Sequence, residues 1–251
     1  MRIILTHDAD SISKPFQHIW KRRDRFTEQD LKDAKKGARN LYNNILDVVS
    51  LETDLGFKST FFIPVFLFNL HDIMDTLQMI KQEGTEVQLH YVHEEQNPQY
   101  EGLFRIQRNF FEDLLGPIDG VRCHGLQITE ELLKLFDAEG LRYDSSYRIE
   151  TVGTFDPYKI CERLLEIPIG VMDADVFGRL QLAESKAWKY LLNRLESAEA
   201  AKAEYFTVLF HQESFRMKGG RLYERLIRYL AENNYESIRC KDAVTLLQQQ
   251  P

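Results

Sequence analysis

The sequence is short of the residues that mark several protein classes. Its 251 residues include only three cysteines, Cys123, Cys161 and Cys240, with no tight spacing between them. This small, odd number argues against a disulfide framework and against a zinc knuckle. The formal net charge is -7, so the basic excess of a general nucleic-acid-binding protein is missing as well. We therefore expect no nucleic-acid partner.

Long hydrophobic runs are also missing. The longest apolar run, residues 61–68, contains Pro64 and is far too short to span a bilayer. A strand-like segment begins at residue 2, with no apolar segment of a signal peptide before it. These features predict a cytoplasmic protein that does not span a membrane. No repeat, low-complexity segment or linker divides the chain, so we expect one domain over residues 1–251.

What is present is an alternation of short apolar segments with amphipathic ones. Strands are predicted at residues 2–6, 59–65, 86–91, 120–124, 141–147, 164–171 and 205–211. Thr27 is predicted to cap a helix that runs on to about Gly56, and residues 11–26 are predicted to be irregular. Such alternation indicates parallel strands covered by helices. At this length a (β/α) barrel is the simplest arrangement, and a doubly wound sheet is the alternative.

Two carboxylates stand at the end of the first strand. Asp8 and Asp10 are two residues apart, so they should point into the same space. Their mutual repulsion would be relieved by a bound cation. One carboxylate would then be a metal ligand and the other a free base. The alternative is a pair that caps a turn or a helix, which aspartate does well.

Polar residues recur at the ends of the other predicted strands. They are His90 with His93, Glu94 and Glu95, then Arg122 and His124, then Asp144, Ser145 and Ser146, and finally His211. In a parallel barrel these ends share one rim, where the active site of such a barrel lies. Aspartate with histidine or glutamate suits a divalent transition metal, and a spare carboxylate beside it can take a proton from water. The inventory therefore predicts metal-assisted hydrolysis of an amide or ester.

The sequence motifs of other common binding sites and catalytic nucleophiles are missing. There is no glycine-rich phosphate loop and no dinucleotide fingerprint. Ser145 and Ser146 lack the flanking glycines of a nucleophile elbow. Cys123 and His124 are adjacent, so on a strand they face opposite ways and cannot form a nucleophile–base pair.

Five short motifs carry a resemblance to a known family. They are Thr6–Asp10, Glu86–His90, Val121–Gly125, Tyr143–Ser146 and Leu209–His211. In this order they resemble the motifs of the polysaccharide deacetylases, the NodB-homology domain of carbohydrate esterase family 4. The resemblance covers residue 2 to about residue 245. It implies a distorted (β/α)7 barrel, a single domain that removes an acetyl group from a sugar, usually with zinc.

The resemblance also implies roles for individual residues. Asp8 falls on the base and Asp10 on a metal ligand. His90 falls on a second ligand, Arg122 on the residue that orients the base, and His211 on the general acid.

Other positions depart from the family pattern. Glu94 stands in the slot of the second motif's second histidine and is our preferred third metal ligand, with His93 and His124 as alternatives. Zinc is the expected metal; manganese, iron, cobalt and nickel are the other candidates.

The third and fourth motifs also differ. Gly125 ends the third motif, and a backbone N–H near it would stabilise an oxyanion. Asp144, Ser145 and Gly125 are predicted to bind substrate. Leu165–Pro168 is similar to the fourth motif, and Asp173 and Asp175 are candidates to brace the site.

The leading hypothesis is a deacetylase of a nucleotide-linked, lipid-linked or oligomeric N-acetyl sugar in surface-polysaccharide or O-antigen synthesis. The alternatives are an amidase of the same fold acting on a small non-sugar amide, and a degenerate barrel that binds a glycan or partner without catalysis. A basic cluster at Lys21, Arg22, Arg23 and Arg25 is interpreted as solvent-facing surface, since charge runs usually are. The alternative is a clamp for an acidic group on a substrate.

Overall fold

The computed structural model describes residues 1–94 and 98–249 of the chain. Ten strands form one sheet: β1 (Arg2–Asp8), β2 (Ser59–Ile63), β3 (Glu86–Tyr91), β4 (Gly120–Cys123), β5 (Tyr143–Asp144), β6 (Tyr158–Lys159), β7 (Leu165–Glu166), β8 (Ile169–Met172), β9 (Tyr205–Leu209) and β10 (Glu236–Ser237). Their order is β6-β7-β5-β4-β3-β2-β1-β9-β8, and β10 lies beside the first residues of β1. Neighbouring strands pair in parallel, except that β6 is antiparallel to β7.

Helices lie between the strands along the chain. They are α1 (Phe16–Lys21), α2 (Glu28–Lys35), α3 (Ile45–Asp54), α4 (Met74–Gln82), α5 (Tyr100–Leu115), α6 (Glu130–Ala138), α7 (Ile149–Val152), α8 (Glu184–Ala200), α9 (Lys218–Glu232) and α10 (Cys240–Gln248). None of the helices within the described residues is both long and apolar enough to cross a membrane.

One kinked segment joins the two ends of the sheet. β7 pairs with β5 and β8 pairs with β9, and only Ile167 and Pro168 separate β7 from β8. Proline has no N–H to donate to a ladder, so the strand predicted over residues 164–171 breaks at this point. Beyond the break, Ile169 N donates to Tyr147 O at 2.8 Å. The result is a distorted barrel with seven parallel strand positions, which confirms the predicted (β/α)7 architecture.

Alternate residues of β1 face opposite sides of the sheet. Ile3 and Leu5 pack outward, in the large core between the sheet and the helices, whereas Ile4 packs inside the barrel against residues that include Phe62. Thr6 and Asp8 continue the inward-facing row, and Arg122 meets both of them. Polar groups at the strand ends therefore gather inside one end of the barrel.

The region before β2 differs from the prediction. Thr27 caps α2 as predicted, since its Oγ1 accepts from Asp30 N at 3.1 Å. The predicted single helix is broken between α2 and α3, because Gly37 adopts a left-handed φ of +69° and ends the first helical segment. Before Thr27, α1 and a 3₁₀ turn at Arg23–Arg25 replace the predicted irregular stretch.

Candidate metal centre and catalytic residues

Three side chains converge at the carboxyl ends of β1, β3 and β4. His90 Nε2 lies 3.2 Å from Asp10 Oδ1, His124 Nδ1 lies 3.2 Å from the same oxygen, and the two histidine nitrogens are 3.3 Å apart. Ligands about 2.0–2.1 Å from a zinc ion in tetrahedral geometry are separated by about 3.3 Å. Among the described residues, Asp10, His90 and His124 form the one group spaced to hold a metal ion. The donor set and its spacing therefore fit a divalent transition metal with a position left for water.

Hydrogen bonds and backbone geometry orient the two histidines. Nδ1 of His90 donates to the backbone carbonyl of Arg122 at 3.0 Å, so Nε2, which faces Asp10, is the nitrogen that would bind a metal ion in place of its proton. His124 begins a 3₁₀ turn whose next two residues, Gly125 and Leu126, have left-handed φ values of +64° and +57°. A non-glycine residue in this region is strained, and such strain is concentrated at functional sites. This turn directs His124 into the barrel end.

Electrostatic interactions link Asp10 to His90 and His124. Burial alone would raise the pKa of Asp10, but hydrogen bonds from His124 and His90 outweigh it and hold that pKa well below its usual range. The hydrogen bond to Asp10 in turn raises the pKa of His124 against the effect of burial. The site therefore holds a carboxylate that stays ionised, as a metal ligand must.

The third ligand suggested by the geometry differs from our preferred choice. Glu94 is exposed and is not among the grouped ligands. His93 stacks on Tyr91 at a ring-centroid distance of 5.1 Å, and its Nε2 lies 2.6 Å from the carbonyl of Gln127. Neither side chain is grouped with Asp10, and residues 92–94 after β3 do not form the helical turn that we assumed. Glu95 lies outside the described residues.

Asp8 is held beside the metal centre and not within it. Its Oδ2 lies 3.6 Å from His90 Nε2, and its Oδ1 accepts from Arg122 Nη1 at 2.9 Å. The guanidinium group of Arg122 is completely buried and lies 4.2 Å above the Phe62 ring. Nη1 also donates to Thr6 Oγ1 at 3.0 Å. Asp8 and Asp10 therefore share one space, as their spacing predicts, and Arg122 fixes the orientation of Asp8.

Asp144 and Ser145 lie behind this arginine, so the prediction that they touch substrate needs correction. Both are fully buried. Ser145 accepts from Arg122 twice, from Nε to its carbonyl at 2.6 Å and from Nη2 to its Oγ at 2.7 Å. Asp144 accepts from the hydroxyl of Ser146 at 2.7 Å, and the carboxyl group of Glu166, which accepts from Tyr147 N at 3.0 Å, is buried near it. These side chains support Arg122 from inside the barrel wall.

His211 and Asp173 form a pair on the other side of Asp10. His211 Nε2 lies 3.7 Å from Asp10 Oδ2, and its Nδ1 lies 2.6 Å from Asp173 Oδ1. Ser214 Oγ donates to the other oxygen of Asp173 at 2.6 Å. Burial opposes the charged imidazole, but the Asp173 carboxylate outweighs it and raises the pKa of His211 well above its usual value. A protonated Nε2 directed at the metal centre can therefore act as an acid.

Asp173 and Asp175, the two candidates to brace this site, have different partners in the structure. Asp173 contacts His211, whereas Asp175 forms ion pairs with Arg148 and Arg179. Sequence reasoning missed Thr6, Ser214 and the partnership of Glu166 with Asp144. The position of Ser214 three residues after His211 was the available signal, since a short turn brings such residues together. Gly125 lies beside His124, as predicted, and its role as an oxyanion donor stays a prediction.

Comparisons with known proteins bear on the fold. No protein-family model and no curated protein matches the chain. A solved structure from Mycobacterium smegmatis, assigned to the polysaccharide deacetylases, aligns with a TM-score of 0.72 at 15% identity, over 100% of this chain and 92% of that one. PuuE allantoinase aligns with a TM-score of 0.68 at 15% identity, over 97% of this chain and 89% of that one.

A further similar structure is described as a pseudoenzyme. This CE4 family protein from Bacillus anthracis aligns with a TM-score of 0.58 at 12% identity, over 97% of this chain and 65% of that one. At these identities the likeness is one of fold. The motifs, the barrel and these structural relatives together show that the chain has the NodB-type fold of the polysaccharide deacetylases.

Proposed function

We propose that the chain is a metal-dependent hydrolase that removes the acetyl group from an N-acetyl sugar. One observation supports the proposal: a carboxylate and a histidine lie next to a group of side chains spaced to hold a metal ion. Asp10, His90 and His124 would hold the metal, Asp8 lies 3.6 Å from His90 Nε2, and His211 lies 3.7 Å from Asp10. The two nitrogen ligands favour zinc, with manganese, iron, cobalt and nickel as alternatives.

Each protein group has a separate task in this mechanism. A divalent ion held by the triad would supply Lewis-acid polarisation of the acyl carbonyl and of the attacking water. Asp8 removes a proton from that water, and Arg122 holds its carboxylate in position through the 2.9 Å contact. His211 donates its Nε2 proton to the departing amine, and Asp173 keeps the imidazole oriented and protonated. The backbone N–H of Gly125 is our candidate for an oxyanion donor.

Two alternatives have specific support. The likeness to an allantoinase favours an amidase acting on a small non-sugar amide. The likeness to a CE4 pseudoenzyme favours a barrel that binds a glycan without turnover. The proposed base, acid and ligands all lie at one end of the barrel, which supports an enzyme over the binding module. The sugar in view is an N-acetyl sugar of a surface-polysaccharide or O-antigen precursor.

Metal analysis and product analysis test the proposal together. We expect the purified protein to bind about one zinc or cobalt ion per chain and to release acetate from at least one member of an N-acetyl-sugar panel. Asp8→Asn is the matched control, because it keeps the size and loses the base. Hydrolysis of allantoin or another small amide with no acetate from any sugar would favour the amidase. A protein that takes up no metal would favour the binding module.

A further inference from the structure

A large cavity adjoins the proposed acid. It has a volume of about 810 Å³, and His211 and Asp173 form part of its wall. Pockets for small-molecule ligands typically measure about 300–1,000 Å³, so this one has room for a sugar and a further substituent. The general acid must reach the nitrogen of the leaving group to protonate it. If His211 is that acid, the leaving group occupies this cavity.

The lining of the cavity also includes basic side chains. Arg22 and Arg25, from the end of α1 and the 3₁₀ turn after it, line it together with His18 and with Lys218 at the start of α9. The sequence patch interpreted as solvent-facing surface thus contributes two arginines to the same cavity as His211. Arg23, between them, instead donates to Trp20 O at 3.2 Å and does not line the cavity.

Arg22 and Arg25 belong to the minority of arginines that form no ion pair within the described residues. Arg105, Arg148 and Arg239 each have a carboxylate oxygen within 3.0 Å. Within residues 1–94 and 98–249, neither Arg22 nor Arg25 has a carboxylate oxygen within 4.0 Å. Arg22 Nη1 lies 3.2 Å from His18 Nδ1, and this contact brings no negative charge to the arginine.

The pKa of His18 agrees with an excess of positive charge around these arginines. The pKa of His18 is lowered by burial and by its cationic neighbours, which include Arg22 and Arg25. Acidic groups in the cavity offset this charge only in part. Asp173 is paired with His211, and burial raises the pKa of Glu213 to about 8, which favours its uncharged form. Asp24 is the remaining carboxylate in the lining.

We propose that this cavity binds an oxyanion, phosphate or carboxylate, carried by the leaving-group side of the substrate. The inference rests on the proposed function, because the acid role of His211 decides which part of the substrate enters the cavity. Two planar guanidinium groups suit either oxyanion through paired hydrogen bonds. The substrate is therefore an anionic amino sugar or a phosphate-linked one, and the acyl group lies on the opposite side of the metal centre.

Calorimetric titration with simple anions tests the assignment without any turnover. The probes are inorganic phosphate, pyrophosphate and glucuronate, added to the full-length protein with its metal. We expect wild type to bind at least one probe, and Arg22→Gln or Arg25→Gln to weaken that binding roughly 10- to 100-fold. Arg23→Gln is the matched control on the same turn and should leave the affinity unchanged. Preference for phosphate probes or for glucuronate identifies which oxyanion the cavity selects.

The outcomes separate this inference from the proposed function. No binding of any probe by wild type at 10 mM, about the weakest affinity a useful subsite would have, overturns it. Equal loss in the Arg23 variant also overturns it, because the effect would then be general charge screening. Failure of acetate release with intact, Arg22-dependent anion binding would contradict the deacetylase alone. Melting temperatures of all three variants confirm that each is folded before titration.

Discussion

At the scale of single residues, Asp8 and Asp10 have identical side chains but different proposed roles, because their contacts differ. Asp10 contacts both His90 and His124, whereas Asp8 is turned toward Arg122. We expect Asp10→Asn to lose metal. Asp8→Asn should keep the metal and lose about 100- to 10,000-fold in turnover, the usual contribution of a general base. Metal analysis and acetate release on both variants check this, and equal metal loss in the two would contradict the assignment.

The identity of the third ligand is a second question at this scale. His124 Nδ1 lies within 3.3 Å of both Asp10 Oδ1 and His90 Nε2, whereas Glu94 is exposed. His124→Ala should therefore weaken cobalt binding by an order of magnitude or more, since even outer partners of a metal site contribute roughly 10- to 100-fold. Glu94→Ala and His93→Ala are the matched controls and should leave the affinity nearly unchanged. A large loss in the Glu94 variant would restore our sequence-based choice.

Asp173 should set the pH range of activity. Its carboxylate raises the pKa of His211 against burial, so His211 stays protonated to higher pH. A general acid loses function as pH rises through its pKa. Asp173→Asn lowers that pKa, so the alkaline limb of the rate profile should move to lower pH while metal content is unchanged. Ser214→Ala, which removes one hydrogen bond to Asp173, should move it less. An unmoved limb in the Asp173 variant would exclude His211 as the acid.

The sequence alone predicted the positions of some residues of the candidate site but not of others. Asp8, Asp10, His90 and His211 could be placed at strand ends because periodicity locates the ends of buried strands. The sequence could not decide whether Glu94 or His124 is the third candidate ligand. That choice depends on whether the chain forms a helical turn after β3. The burial of Asp144 and Ser145 was also out of reach, because residues on a strand of two residues can face the barrel wall or its mouth.

At the scale of elements, the start of α9 is constrained by its two glycines. A Cβ on Gly220 would lie 1.7 Å from the carbonyl oxygen of Phe215, which is backbone and cannot swing aside. We expect Gly220→Ala to destabilise the protein by about 1–3 kcal/mol through overpacking. Gly102→Ala, in the first turn of α5 with no atom near its Cβ position, should instead stabilise the protein by about 0.5 kcal/mol. Chemical denaturation of both variants measures the contrast, and equal effects would contradict the close approach.

The element boundaries missed from the sequence share one cause. The break between α2 and α3 and the interruption between β7 and β8 both interrupt a hydrophobic pattern that continues through them. Gly37 and Pro168 were visible as breakers, but apolar periodicity on both sides argued for continuity. Contacts distant in sequence decide such points. Asn44, for example, is anchored by Gln212, whose Oε1 accepts from its backbone N–H at 2.8 Å.

At the scale of the whole molecule, a buried acid pair lies where the barrel closes. Glu166 is on β7 and Asp144 on β5, and both are fully buried. Burial, and then the neighbouring Asp144, raises the pKa of Glu166 well above its ordinary value of 4.5, which favours a proton on this pair. An acid with a raised pKa in the folded state contributes stability that is complete at low pH. That contribution is lost as pH rises through the folded-state pKa.

Glu166→Gln tests this linkage. Glutamine imitates the protonated acid, so the variant should retain the fold and lose less stability than wild type as pH rises above the ordinary glutamate range. Denaturant midpoints across pH measure the difference, and Glu166→Ala is the comparison that removes the carboxyl group altogether. Parallel curves for wild type and the glutamine variant would show that Glu166 does not hold this proton.

The division of the site along the chain has a consequence for how such a protein can change over time. The three candidate metal ligands lie at residues 10, 90 and 124, whereas the acid group comes from residues 173, 211 and 214. In the proposed mechanism, substitutions in the later segment would abolish turnover and leave the three candidate ligands in place. Loss of His211 alone would then turn such a hydrolase into a metal-loaded protein that binds without catalysis.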